Sequence, residues 1–63
     1  MKSATTFQIQ IGAGKKGSYR TIETIDSNII YAMKVYSIIK LFPGQKKRLT
    51  VLNRILVKHS RDN

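Results

Sequence analysis

The chain has 63 residues, no cysteine and a single histidine, and its 12 Lys and Arg residues against three acids give a formal net charge of +9. The composition excludes disulfides and zinc–thiolate clusters, and three acids are too few for a convincing metal cage. Because 41% of the residues are apolar, a disordered basic tail is also excluded, and we expect a small folded domain that attracts nucleic acid or an acidic protein surface.

The sequence contains no apolar run that approaches the roughly 20 residues of a membrane span. Lys2 is followed by Ser-Ala-Thr-Thr, which is polar and unlike the apolar region of a signal peptide. We therefore expect a cytoplasmic protein that starts at its own Met1 and has no transmembrane segment.

The N-terminal third predicts a β-hairpin. Residues 5–11 alternate strictly, with Phe7, Ile9 and Ile11 on one face, which indicates a half-buried strand. Residues 18–25 are rich in β-branched and aromatic side chains and predict a second strand. Which face of this strand points to the core stays open, because a regular strand would direct Ile22 and Ile25 to opposite faces.

The middle of the chain predicts a helix over residues 29–42. Asp26-Ser27-Asn28 offers three consecutive N-cap candidates, and Pro43-Gly44 ends the pattern. At helical spacing one broad face of the helix is apolar, and it contains Ala32, Val35, Tyr36, Ile39 and Phe42. With the first strand, this face predicts a core of Phe7, Ile9, Ile11, Ala32, Val35, Tyr36 and Ile39.

The last third allows two interpretations. It predicts either two strands, at residues 48–52 and 55–58 with a turn at Asn53-Arg54, or one amphipathic helix within residues 45–61. The β-branched residues and the tolerance of Asn for positive φ favour the strands, whereas the apolar spacing fits the helix. The preferred fold is a small single α+β domain in the order ββαββ, and the alternative is ββαα.

Residues 12–17, Gly-Ala-Gly-Lys-Lys-Gly, match the dinucleotide pattern G-x-G-x-x-G. A dinucleotide site needs a helix after the glycines, but the residues after Gly17 predict a strand. This context resembles the glycine-rich hairpin over ATP in protein kinases, over residues 12–18 alone, and nothing downstream supplies a kinase's catalytic residues. We interpret Gly12, Gly14 and Gly17 as turn residues that allow positive φ, and we expect no nucleotide and no other cofactor.

The basic residues predict a surface that binds phosphates. Lys46-Lys47-Arg48 comes shortly after Pro43-Gly44, and at least two of these three cations must face solvent. The alternative interpretation is a solvated loop that only aids solubility. Tyr19, beside Arg20, is the best candidate for stacking on a base. The predicted nucleic-acid-binding residues are Lys15, Lys16, Tyr19, Arg20, Lys46, Lys47, Arg48, Arg54 and Lys58.

The sequence offers little material for catalysis. His59 lies near the C-terminus among polar residues, and no spacing of a catalytic triad or of metal ligands is present. We expect a non-enzyme with no catalytic residue, no metal site and no small-molecule substrate. Ile30, Met33 and Leu41 fall away from the predicted core face, which suggests a protein interface, with another protein or between two copies of the chain.

These observations predict a small basic nucleic-acid-binding protein that grips the phosphate backbone of DNA or RNA. The hairpin–helix run of residues 19–36 resembles small three-stranded DNA-binding domains, which lay a sheet in the major groove, and this resemblance concerns the fold alone. The alternative is a phage-type inhibitor, anti-CRISPR-like in its size and lack of catalytic residues, or an assembly subunit. Such a protein would dock on an acidic surface of a larger protein or ribonucleoprotein.

Overall fold

The computed structural model describes residues 5–13 and 18–61. In this part of the chain the elements are β1 (Thr6–Ala13), β2 (Tyr19–Asp26), α1 (Ile29–Ile38), β3 (Gln45–Val51) and β4 (Arg54–Ser60). The strands form one antiparallel sheet in the order β2-β1-β3-β4. The predicted α+β class and ββαββ order are confirmed, and the ββαα alternative is wrong because β3 and β4 pair as strands. No helix in the described ranges is long and apolar enough to cross a membrane.

Both edge strands contain a β-bulge. In β2 the register shifts between Ile9, which pairs with Glu23, and Gln10, which pairs with Thr21, so Ile22 is the extra residue. The extra residue interrupts the alternation of side chains between the two faces of β2. This explains why the sequence left the orientation of the strand open: Ile25 is buried, whereas Ile22 is exposed. In β4 an equivalent shift leaves Leu56 as the extra residue. Bulges on edge strands hinder pairing with another chain.

The second hairpin turns at Leu52-Asn53, one residue earlier than predicted. Both residues have positive φ, 52° and 64°, and Val51 pairs with Arg54 across the turn. Positive φ at both central positions is what a two-residue type I′ hairpin requires. The tolerance of Asn for this backbone was predicted from the sequence, but the participation of Leu52 was not.

Asn28 is the N-cap of α1. Its side-chain Oδ1 accepts a hydrogen bond from the Tyr31 N–H at 2.8 Å, which satisfies one of the free donors of the first turn. Asp26 does not cap the helix, because its carboxylate accepts a hydrogen bond from the Thr6 hydroxyl at 2.6 Å. The helix thus begins where the run of cap candidates predicted.

The helix ends at Ile38, four residues before the predicted end at Phe42. Pro43 has no N–H to donate to the Ile39 carbonyl, and the ammonium of Lys47 donates to that carbonyl instead, at 2.8 Å. Pro43 and Gly44 then form the centre of a turn, in which Gly44 has a φ of 87° and the Gln45 N–H donates to the Phe42 carbonyl at 3.0 Å. Proline followed by a positive-φ glycine is typical of a type II turn.

The core lies between α1 and one face of the sheet. Its buried cluster consists of Phe7, Ile9, Ile25, Ala32, Tyr36 and Leu49, and Val35, Ile39, Val51 and Val57 pack against it. The predicted core positions are therefore occupied as expected, except for Ile11. That residue is half-buried and lies outside the cluster, since its neighbours on the adjacent strands are Arg20 and Lys47.

Candidate nucleic-acid interface

The face of the sheet opposite α1 carries cations from two neighbouring strands. Successive side chains of a strand point to opposite faces, so Lys46 and Arg48 of β3 lie on the other side from the buried Leu49. The register pairs Arg48 with Gln10 on one side and with Lys58 on the other. We call this surface the open face; its residues in this region are Gln10, Gly12, Tyr19, Lys46, Arg48, Lys58 and Ser60.

Tyr19 and Arg48 form a stacked pair on the open face. The Arg48 guanidinium carbon lies 3.9 Å from the centroid of the Tyr19 ring, and its Nε donates a hydrogen bond to Gln10 Oε1 at 2.7 Å. These two contacts fix a long side chain that would otherwise sample many rotamers, and a cation over an aromatic face is itself attractive. Arg48 is therefore held with its charge on the surface of the sheet.

Gly12 lets the Tyr19 ring lie close to the sheet. A Cβ at this position would lie 3.2 Å from the ring and 2.7 Å from the Ser18 carbonyl oxygen, which is backbone. Gly12 lies inside β1 and has no positive φ, so its predicted role as a positive-φ turn residue is wrong. The residue is small because the ring of Tyr19 occupies the space beside it.

A polar hollow of about 220 Å³ adjoins the stacked pair. It is lined by Tyr19, Lys46, Lys58, His59 and Ser60, a set with two ammonium groups and no acid. Ammonium, hydroxyl and phenol groups can all bind phosphate oxygens, by charge or by hydrogen bonds. The hollow is thus suited to an anion at the surface.

Lys47 lies on the other side of the sheet, under the C-terminal end of α1. It is only 8% exposed, and its Nζ donates to the carbonyls of Tyr36 and Ile39 at 2.8 Å each. Burial lowers the pKa of Lys47 below its ordinary value. The three adjacent cations belong to β3 and not to a loop, so the alternation of the strand directs the middle one to the helix. Its charge is committed to the negative end of α1.

The remaining predicted cations are not gathered with the stacked pair. By register, Arg20 is opposite Ile11, and Arg54 is opposite Val51 beside the turn of the second hairpin; both are exposed. Lys15 and Lys16 lie outside the described residues, as do Gly14 and Gly17. Of the predicted set, the structure thus brings Tyr19, Lys46, Arg48 and Lys58 together.

Tyr36 and His59 form a contact that the sequence did not suggest. The Tyr36 hydroxyl lies 3.2 Å from the Lys47 carbonyl oxygen and 2.8 Å from His59 Nδ1. The phenol has one hydrogen and a carbonyl can only accept, so both contacts are satisfied when the hydroxyl donates to Lys47 and the Nδ1–H of His59 donates to the phenol oxygen. Burial raises the pKa of Tyr36, the nearby Tyr19 adds to this rise, and a hydrogen bond with the backbone of His59 opposes it.

The outer surface of α1 is unusually apolar. Ile30 and Ile38 are 72% and 73% exposed, and Met33 is also exposed. Leu41, the third predicted interface residue, is buried, so its predicted exposure is wrong. The helix ends before Leu41, and the chain turns this side chain inward. The Arg61 guanidinium donates a hydrogen bond to the backbone carbonyl of Leu41 at 3.0 Å.

In the residues that the structure describes, no group of three or more His, Asp or Glu side chains is placed to hold a metal ion. Comparisons with models of protein families, with curated proteins and with solved structures found no match to this chain. Function must therefore be argued from the open face and the helix surface themselves.

Proposed function

We propose that the protein is a non-enzymatic nucleic-acid-binding protein that contacts phosphates through the open face. The observation that carries the proposal is the grouping of Lys46, Arg48 and Lys58 with the Tyr19 ring on the sheet surface opposite α1. Elements with a purely structural role rarely concentrate cations in this way, because like charges on neighbouring strands repel each other.

The charge of the whole chain supports the same function. A net charge of +9 on 63 residues creates a positive field that steers polyanions toward the molecule. Each phosphate that a lysine or arginine neutralises releases condensed counterions, which makes binding favourable and strongly dependent on salt. In the described ranges the acids Glu23 and Asp26 both lie on β2. This strand is two positions away from β3, which carries Lys46, and three away from β4, which carries Lys58.

The test is the salt dependence of binding to labelled DNA and RNA, measured by fluorescence anisotropy. We expect the Lys46→Ala and Lys58→Ala variants to weaken binding to every sequence alike. The slope of log affinity against log salt should fall by about one unit for each phosphate that the variant no longer neutralises. Lys34→Ala is the matched control, because it removes the same charge from α1, on the other side of the sheet. Equal slopes for all three variants and the native chain would contradict the role of the open face.

A second candidate function is docking on an acidic surface of a larger protein, as a phage-type inhibitor or an assembly subunit would do. It is favoured by the exposure of Ile30 and Ile38 on α1, with Lys34 between them along the helix. Apolar contacts flanked by a lysine suit a partner whose apolar patch is bordered by carboxylates. A second copy of the chain suits this helix surface less well than an acidic partner does, since two chains of charge +9 repel each other.

This second function predicts a different set of sensitive residues. The double variant Ile30→Ser/Ile38→Ser should lose binding to a purified partner while its affinity for nucleic acid stays unchanged. Lys46→Ala/Lys58→Ala is the matched control on the other side of the molecule. If the helix variant binds the partner as well as the native chain does, α1 is not the docking surface.

A further inference from the structure

We infer that the open face binds single-stranded nucleic acid, with one base stacked on Tyr19. This inference rests on the proposed function and specifies its ligand. Single-stranded DNA and single-stranded RNA share the relevant chemistry, which is a chain of phosphates with unpaired bases whose flat faces are accessible.

The width of the sheet argues against a duplex ligand. Neighbouring strands are about 4.8 Å apart, so the axes of the two outer strands lie about 14 Å from each other before side chains are added. The major groove of B-DNA is about 12 Å wide and admits a helix or a two-stranded ribbon. The candidate residues reach from β2 to β4, across all four strands, so neither a hairpin nor a three-stranded sheet could carry all of them into a groove.

A single strand has no such restriction, because it can lie across a flat sheet with its bases turned toward the protein. The Tyr19 ring is held at the surface by contact with Gly12 and by the Arg48 guanidinium. A base that stacks on this ring, or exchanges with the guanidinium above it, would have the ammonium groups of Lys46 and Lys58 within the same hollow for its neighbouring phosphates.

This arrangement predicts tolerance of sequence. Stacking uses the face that every base possesses, and phosphate contacts carry no direct sequence information. The other side chain positioned beside the pair, Gln10, already accepts the hydrogen bond of Arg48 and donates one to the Thr21 hydroxyl at 3.1 Å. Its amide is therefore held within the sheet by these two bonds, which restricts its orientation for reading the edge of a base.

The first experiment compares oligothymidylate and oligouridylate of about ten nucleotides, a length within the site sizes of small single-strand-binding folds, with a duplex at the same salt concentration. We expect the single strands to bind at least tenfold more tightly. Tyr19→Leu should weaken single-strand binding roughly tenfold without changing the salt slope, whereas Tyr19→Phe should retain it. A thermal melt of each variant verifies that it is folded.

The second experiment reports stacking directly and does not depend on loss of function. The chain has no tryptophan, so Tyr19→Trp introduces one fluorophore at the site. Single-stranded DNA or RNA should quench its fluorescence. Inorganic polyphosphate, which has charges but no bases, should bind without quenching.

The outcomes separate the two proposals. If duplex and single strand bind equally, Tyr19→Leu has no effect, and Lys46→Ala still weakens binding, then phosphate binding by the open face stands and the single-strand inference is overturned. If no nucleic acid binds at low salt, both are overturned. A preference for only one of the two single strands supports the inference.

Discussion

Lys47 and Tyr36 each donate a side-chain hydrogen bond to the backbone carbonyl of the other. The Lys47 ammonium donates to the Tyr36 carbonyl at 2.8 Å and lies 4.5 Å from the centroid of its ring, while the Tyr36 hydroxyl donates to the Lys47 carbonyl at 3.2 Å. This reciprocal contact joins α1 to β3. The central cation of Lys46-Lys47-Arg48 therefore has a structural role, whereas its two neighbours lie on the open face.

The first prediction concerns this lysine. Lys47→Met preserves an apolar stem of similar length but leaves the Ile39 carbonyl without its donor. The Tyr36 carbonyl loses one of two donors and keeps the Ile39 N–H at 3.3 Å. A buried acceptor left unpaired costs about 1–3 kcal/mol, so the free energy of unfolding in urea should fall by that order. Lys46→Met is the control, and its stability should change by less than about 0.5 kcal/mol because Lys46 lies on the open face. Equal stabilities of the two variants would contradict the helix-capping role of Lys47.

The second prediction concerns the ionisation of Tyr36. Burial raises its pKa above the ordinary value of 10.0, so the folded state retains the phenol proton at a pH where the unfolded state loses it. The stabilisation that this group contributes is therefore complete below pH 10.0 and is lost as the pH rises through its raised pKa. The ultraviolet absorbance of ionised tyrosine is measured against pH for the native chain and for Tyr36→Phe. The transition that the variant lacks belongs to Tyr36, and we expect its pKa to lie above 10.0. A missing transition at or below the ordinary value would contradict the burial of the hydroxyl.

The third prediction concerns the turn of the second hairpin. Leu52 has a φ of 52° and is 85% exposed, so it occupies a left-handed conformation without any burial of its side chain to compensate. A side chain with a Cβ pays about 1–2 kcal/mol for this conformation, whereas Asn tolerates it better. Leu52→Asn should therefore raise the free energy of unfolding, by roughly 0.5–1 kcal/mol. As a control, Leu56→Asn changes the same side chain at the β4 bulge and should give no such gain.

The fourth prediction concerns the support of Tyr19. Gly12→Ala places a Cβ against the Ser18 carbonyl and the Tyr19 ring, so the backbone or the ring must move. Overpacking of this kind costs about 1–3 kcal/mol, and we expect a drop of that order in chemical denaturation. Gly44→Ala is the informative comparison: its Cβ would meet nothing within 4 Å, but its φ of 87° is strained for alanine. A native melting curve for Gly12→Ala would show that the ring is not held against the strand.

The order of the elements could be predicted from the sequence because local patterns determine it. Strict alternation marks β1, the run ending in Asn28 marks the start of α1, and Pro43 followed by Gly44 marks a turn. Each of these signals depends on residues that are neighbours along the chain. The binding of nucleic acid and the absence of catalysis remain predictions, although the composition that suggested them is unambiguous.

The facing of individual side chains was decided by the tertiary structure. The Ile22 bulge, the burial of Lys47 and the inward turn of Leu41 all depend on contacts with residues elsewhere in the fold. A run of three cations looks the same in a loop and in a strand, but in a strand its members alternate between faces. Likewise, only the pairing of β1 with both β2 and β3 brings Tyr19 across Gly12 to Arg48. Composition thus sets the charge of this protein, whereas the register of its sheet selects which charges reach a common surface.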